Sequence, residues 1–351
     1  MAIYRKKADI LEFTRDQLLS WLAEREIAAY RADQIQKWIY LRQADNFDVM
    51  TDLSKNIRLL LPKHFVIGRL EAEKIENSRD GSRKYLFKLR DGKYIESVLI
   101  PERDHYTLCV SSQAGCAQGC RFCLTAVGGF ERNLTRGEIV AQARDIKKDL
   151  GDEKRLTNIV FMGMGEPLAN YKNLVAAIGV LTVNDVGLRF ASPRVTVSTA
   201  GLVPKITALG RDTRVNLAIS LNATDNKTRD RLMPINRKYP LEKLMEACRR
   251  YEPAPGRRIT FEYILIKGIN DSVDDAERLA KLLRPIRCKV NLIPFNMHAG
   301  CDFERPAEAA IQAFYDILFA QNYTVIIRRS KGQDISAACG QLRASSVGHR
   351  A

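Results

Sequence analysis

The chain has 351 residues, 46% hydrophobic and 28% charged, with 21 Gly and 12 Pro. That length supports one large core with an appendage, and the composition excludes a disordered or fibrous chain. No run approaches the roughly 18 apolar residues of a spanning helix, and residues 1–7 have no apolar stretch behind their charges, so a cytoplasmic protein with no membrane contact is expected. Fifty-six Lys and Arg against 41 Asp and Glu give a net charge of +15, which favours a polyanion such as nucleic acid as partner. Eight cysteines are too few for a disulfide scaffold at this length and point to metal ligation, catalysis or inert core thiols.

The first 65 residues read as helical. Thr14 and Gln17 have capping-box spacing, Leu18, Leu19, Trp21 and Leu22 supply an apolar face, and Ile35, Trp38 and Ile39 supply another. A third helix is predicted over 52–61, ending before Pro62. Residues 66–103 read as a small β extension, with strands at 84–89 and 93–100 joined through Asp91-Gly92, a dipeptide suited to a tight hairpin. From 104 to 351 the pattern alternates. Strands are predicted at 107–111, 158–162, 194–198, 215–221, 259–265, 289–293 and 324–328. Helices are predicted at 135–150, 173–181, 241–251, 274–283 and 307–320. Such alternation means a parallel α/β sheet, open or closed into a barrel, with ligands at the edge that follows the strands.

Cys116, Cys120 and Cys123 crowd one short loop, with Phe122 before the last. Three thiolates can hold three irons of a [4Fe-4S] cluster and leave the fourth open to an exogenous ligand. Zinc is the competing occupant, but its structural sites recruit paired CxxC units or histidines. No histidine lies in the hundred residues that follow. The CxxxCxxC loop resembles the signature of the radical S-adenosylmethionine superfamily. In that superfamily the methionyl amino and carboxylate groups of the cofactor chelate the open iron, and an electron from the cluster cleaves the sulfonium to give a 5′-deoxyadenosyl radical. Phe161-Met162-Gly163-Met164-Gly165-Glu166-Pro167-Leu168 is by itself an ordinary strand-to-helix turn whose glycines let backbone approach a ligand; beside the cysteine loop it resembles the methionyl-binding site.

Asp334-Ile335-Ser336-Ala337-Ala338-Cys339-Gly340-Gln341-Leu342 resembles the C-terminal motif of the RlmN/Cfr family of RNA adenine methyltransferases. Segments 108–113, 130–134, 232–236 and 47–53 agree, so the resemblance covers nearly the whole chain. It implies a partial (β/α)6-type radical SAM barrel with an N-terminal helical domain that docks RNA. Pro167 and the Pro294-Phe295-Asn296 loop resemble the RlmN branch, whose members methylate carbon 2 of an adenosine in large-subunit ribosomal RNA and, in some bacteria, in tRNA. Carbon-8 methylation, as in Cfr-like enzymes, is the alternative. An RNA-binding iron–sulfur protein and a radical enzyme acting on a peptide or small molecule are alternatives of other kinds.

The resemblance also supplies roles. Cys116, Cys120 and Cys123 hold the cluster. Cys339 is methylated by one S-adenosylmethionine and gives up hydrogen to the radical from a second, and its methylene radical adds to the adenine. Cys109 releases the RNA through a transient disulfide with Cys339, and Glu96 is the catalytic base. Gly165, Glu166, Ser198, Ser220, Leu221, Asn222 and Asn296 match cofactor contacts, most of them polar residues at strand ends. Arg83, Lys84, Arg132, Arg136, Arg257, Arg258, Arg328, Arg329 and Lys331 are candidates to neutralise phosphates, although most basic side chains are simply solvated. A flavodoxin- or ferredoxin-type electron donor and a monomeric state are expected. Cys248, Cys288 and Cys301 read as structural, and His64, His105, His298 and His349 form no metal-spaced cluster.

Overall fold

The computed structural model describes residues 7–151, 155–298 and 301–344; His349 lies outside them. The head comprises β1 (Ala8–Asp9), α1 (Arg15–Ala23), α2 (Tyr30–Gln36), α3 (Lys55–His64) and β2 (Phe65–Val66), with β1 and β2 paired in parallel. Thr14 and Gln17 form the predicted capping box at α1. After α2 the helix widens, and the Arg42 N–H reaches back five residues to the Lys37 carbonyl. Two expectations for the third helix are corrected: α3 begins after the cap Ser54, whose hydroxyl accepts from the Ile57 N–H, and it runs through Pro62. Proline removes one helical donor, but only part of a turn follows it, and buried Leu61 and Phe65 hold that turn against the core.

Next come β3 (Ala72–Asn77), β4 (Arg83–Lys88), β5 (Tyr94–Pro101) and β6 (His105–Cys109). The hairpin strands β7 (Gln113–Gly115) and β8 (Phe130–Asn133) flank α4 (Leu124–Val127), and α5 (Arg136–Leu150) follows. The rest of the chain alternates: β9 (Arg155–Phe161), α6 (Tyr171–Thr182), β10 (Val195–Thr199), α7 (Val203–Asp212), β11 (Asn216–Ser220), α8 (Asn226–Leu232), α9 (Leu241–Arg250), β12 (Ile259–Leu265), α10 (Val273–Leu283), β13 (Cys288–Pro294), α11 (Glu308–Ala320) and β14 (Val325–Ile327).

One sheet runs β14-β13-β12-β11-β10-β9-β6-β5-β4-β3. In this sheet every neighbouring pair from β6 to β14 is parallel, and each of β6, β9, β10, β11, β12 and β13 is followed by helix before the next strand of the sheet, the predicted partial (β/α)6 barrel. Strands β3 to β5 continue that sheet in antiparallel register, with Asp91-Gly92 at the predicted turn. β3 has largely solvent-facing side chains, so no apolar alternation announces it in the sequence.

Two buried arginines on α5 fasten the head to the barrel. Arg136 donates to the carbonyls of Leu11 and Phe13. Arg144, 0% exposed, donates to the carbonyls of Ile39, Ala44 and Gly68 and to the carboxylates of Asp45 and Asp145. No helix among the described residues is long and apolar enough to cross a membrane.

Candidate active site

The ends of the parallel strands surround a cavity of about 800 Å³ that opens to solvent. Cys116, Cys120 and Cys123 form one wall. Their loop is set by the Cys116 N–H donating to the Gly129 carbonyl and the Arg121 N–H to the Leu232 carbonyl, and by Phe122 packing with Leu232, Met233, Ile235 and Phe295. Burial pushes the Cys116 thiol up to about 12 and that of Cys120 well above its ordinary value, and neighbouring thiols add to both shifts. Three thiols facing one cavity are suited to bonding iron, which replaces their protons.

The other walls are strand ends. Gly163, Gly165 and Glu166 follow β9, Ser198 lies on β10, Ser220 ends β11 and Asn222 follows it, and all six line the cavity; Gly163 was not among the sequence candidates. Gly165 has φ +104°, and a Cβ there would meet Gln113 Cβ at 2.5 Å. The glycine is therefore required by packing against the neighbouring chain as much as by any ligand. Glu166 is 2% exposed, and its two oxygens accept from the Leu168 and Ala200 N–H groups at 3.0 and 2.7 Å. Burial raises its pKa, against those bonds. Asn222, at φ +59°, accepts from the Ile264 N–H and donates towards Met233 Sδ. Leu221 is buried in the core and lines neither this cavity nor the second one described below. Asn296 also lies off both cavities; its side chain donates to the Cys339 carbonyl and accepts from Gln333.

Cys339 closes the cavity from the C-terminal loop. That loop is strapped from several sides. Asp334 accepts from the Ser78 hydroxyl and the Arg79 N–H, and Asp80 from the Gly332 N–H, all in the turn between β3 and β4. The Gly340 carbonyl accepts from the Leu124 N–H and the Leu342 carbonyl from Thr125, tying the loop to the cysteine segment. Glu96, 4% exposed on β5, accepts from the Arg343 N–H at 2.8 Å and pairs with Lys84, which also pairs with Glu76. Burial raises the Glu96 pKa. Its carboxylate thus holds the loop from behind and lines neither cavity.

A second cavity, of about 970 Å³, lies on the far side of Cys339 and shares Met162 and Ile293 with the first. Cys109, at the end of β6, lines this second cavity only. Both thiols are free, and burial pushes Cys109 up to about 12 and raises Cys339 as well, each sensing the charges around it.

Sequence reasoning missed Glu262 and misplaced four cations. Glu262 on β12 lines the first cavity and accepts from the Ser198 hydroxyl at 2.9 Å; burial raises its pKa. A glutamate in the apolar run Ile259–Leu265 was the available signal. Arg328, expected among the phosphate contacts, lines the second cavity instead. Lys84 and Arg136 are buried in internal bonds, and Arg132 is held by Asp91 and Glu138. Cys248 and Cys288 are buried, and Cys301 rests on the Arg121 carbonyl.

A cysteine loop, a glycine–glutamate turn after β9 and a (β/α)6 frame together define a radical S-adenosylmethionine enzyme. Comparison with known proteins agrees: residues 110–283 match the family model for the radical SAM superfamily, and residues 8–67 match that for the ribosomal RNA large subunit methyltransferase N-terminal domain. The dual-specificity RNA methyltransferase RlmN of Desulfosudis oleivorans is 59% identical over 336 residues, 96% of this chain and 91% of that protein. The same-named protein of Geobacter sulfurreducens is 54% identical, over 95% of this chain and 92% of its own length. The crystal structure of a radical SAM methyltransferase from Sphaerobacter thermophilus matches with a TM-score of 0.90 at 44% identity, over 96% of this chain and 100% of that one. The chain belongs to the RlmN family of radical SAM RNA methyltransferases.

Proposed function

We propose that this enzyme methylates carbon 2 of an adenosine in large-subunit ribosomal RNA and in tRNA, through an S-methylcysteine at Cys339. Carbon 2 lies between two ring nitrogens and is too electron-poor to attack a methyl sulfonium. S-adenosylmethionine at a cluster held by Cys116, Cys120 and Cys123 supplies both a transferable methyl group and a hydrogen-abstracting radical. Gly165, Glu166, Ser198, Ser220 and Asn222 hold the cofactor, and Asn296 acts on it through the Cys339 loop; Leu221 contributes only its buried side chain beside Asn222. Cys339 takes the methyl group as a thiolate, surrenders one hydrogen atom from it, and bonds to carbon 2 through the remaining methylene; the adduct radical then loses the carbon-2 proton and one electron, which would return to the oxidised cluster that had supplied it. Cys109 then attacks the Cys339 sulfur. The S–S bond forms as the S–C bond breaks, the electron pair passes to the methylene carbon, and that carbon gains a proton to become the methyl group. Glu96 lines neither cavity and is held by the Arg343 N–H and Lys84, so it receives the proton lost from carbon 2 only through an intervening carrier such as water, and burial raises its pKa towards a useful range.

The observation that carries this reading is the placement of Cys339 in both cavities, with the cysteine triplet in one and Cys109 in the other. The reading includes a flavodoxin- or ferredoxin-type reductant, a monomeric enzyme and a cytoplasmic setting. The test is nucleoside mass spectrometry after anaerobic reaction with unmodified ribosomal RNA or tRNA. 2-Methyladenosine in both pools supports it, and in one pool alone removes the other substrate. 8-Methyladenosine overturns the regiochemistry, and cofactor cleavage without methylated adenosine overturns the role of Cys339.

A further inference from the structure

The second cavity contains a guanidinium to which the reaction above gives no task. The Arg328 N–H donates to the Leu292 carbonyl, continuing the pairing of β14 with β13, and its side chain turns into the cavity beside Cys109 and Cys339. Nη1 lies 3.9 Å from Met162 Sδ, and among the described residues Arg328 makes no ion pair. Glu102, the nearest carboxylate of the cavity wall, is paired with Lys331 instead. Glu262 faces Ser198. Cys339 raises the Arg328 pKa against the effect of burial, with Glu262, Cys109 and Glu102 adding to it, so the group is a permanent donor whose side-chain acceptor is the weak Met162 thioether.

Apart from Ser330, the remaining walls are mostly apolar, with Ile100, Val160, Met162, Ile293, Ile327 and Ala337 among them. Arg329 and Lys331 lie at the same rim. Apolar walls suit the faces of a purine, and rim cations suit the phosphates beside it. Because Cys109 lines this cavity and not the first, the step that breaks the RNA–protein bond belongs on this side of Cys339.

We propose that the second cavity receives the unstacked target adenine, and that Arg328 donates to one of the two ring nitrogens flanking carbon 2, making it the residue that selects adenine. Both nitrogens of adenine are acceptors, whereas guanine carries a hydrogen on N1 and an amino group on carbon 2. A guanidinium at N1 therefore meets an acceptor in adenine and a donor in guanine; at N3, an acceptor in both, it is kept from guanine by the amino group beside it. The same hydrogen bond steadies negative charge on the ring as the S–C bond breaks. This rests on the adenine reading above and names the site where its substrate is held.

The experiment is a cycle of enzyme and substrate changes on the holoenzyme. RNA carrying adenosine, 1-deazaadenosine or 3-deazaadenosine at the target position is given to the wild type, Arg328→Met and Arg328→Lys, and kcat and KM are measured for methyl transfer. One deaza substitution is expected to lower wild-type kcat/KM by about tenfold or more beyond its effect in Arg328→Met. Arg328→Lys is expected to regain part of that difference. Equal deaza effects in the wild type and Arg328→Met, for both analogues, overturn the proposal. So does a wild type indifferent to both analogues, a result that stands even if Arg328→Met fails to fold. If natural RNA yields no methylated adenosine with the wild type, the function itself has failed before the cycle begins.

Discussion

Replacing Arg144 by methionine tests how the head is held on the barrel. The guanidinium is fully buried and donates to three backbone carbonyls, of Ile39, Ala44 and Gly68, and to Asp45 and Asp145. Methionine keeps much of the volume and none of the donors. Removing one partner of a buried ion pair costs about 3–5 kcal/mol, because the other charge stays behind undischarged. At a urea slope of about 2 kcal/mol/M, the midpoint should fall by roughly 2 M. Both tryptophans of the chain, Trp21 and Trp38, are in the head, so their fluorescence follows that unit while far-UV circular dichroism follows the whole. The fluorescence transition should move ahead of the other. The deficit should also depend on pH. Burial already raises Asp145 above the usual carboxylate range, and Arg144 is the largest influence opposing it. A carboxyl raised in the folded state binds its proton where the unfolded one has lost it, so stability falls as pH rises from about 3.9 through the folded value. Losing Arg144 widens that window, and the variant should be further below the wild type at pH 8 than at pH 5. A midpoint change under about 0.5 M, with both probes coincident and no pH dependence, would refute this account of the head's attachment.

Cys109→Ala should leave Cys339 able to bond to RNA and unable to release it, so a covalent protein–RNA adduct should build up on denaturing gels; free methylated RNA at the wild-type rate would contradict the assignment of Cys109. Gly165→Ala places a Cβ on Gln113 at a backbone angle of φ +104°, so cofactor cleavage should drop by about tenfold or more, and wild-type cleavage would show that the turn is not under strain. Burial pushes Asp80 up, but the N–H groups of Gly332 and Ser82 and nearby hydroxyls outweigh it and bring it down to about 2. A depressed carboxyl contributes stability above its unfolded value and loses it as pH falls, here from about 3.9 towards 2. Amide exchange over 332–341 should then accelerate relative to the barrel strands across that window, and in Asp80→Asn at neutral pH as well. Uniform exchange in both would remove the clamp from the explanation.

The barrel strands were legible because each is a short apolar run bounded by helix-length segments, and the observed strands fall within three residues of the predicted ones. Pro62 misled because proline forbids a donor and not a helix, and a helix can keep its last turn when neighbours such as Leu61 and Phe65 are buried. β3 gave no signal, since an edge strand with exposed side chains has no buried face to pattern. Arg328 and Arg136 read as surface cations because side-chain direction at strand and helix ends is set by what packs there, which composition does not encode.

Local spacing by itself determined the cysteine triplet. Cys116, Cys120 and Cys123 fall on one loop whatever the rest of the chain does, and their number leaves an iron open. The alternation of strands and helices determined the parallel sheet, and with it the edge on which the site lies. Tertiary structure alone decided the second cavity. Cys109, Arg328 and Cys339 come from opposite ends of the barrel and share no local pattern; the register of β6 and β14 and the strapping of the C-terminal loop by Asp80, Asp334 and Glu96 bring them together. Strand pairing over long separations fixes which side chains face one another, and that information resides in the packed sheet rather than in any stretch of sequence.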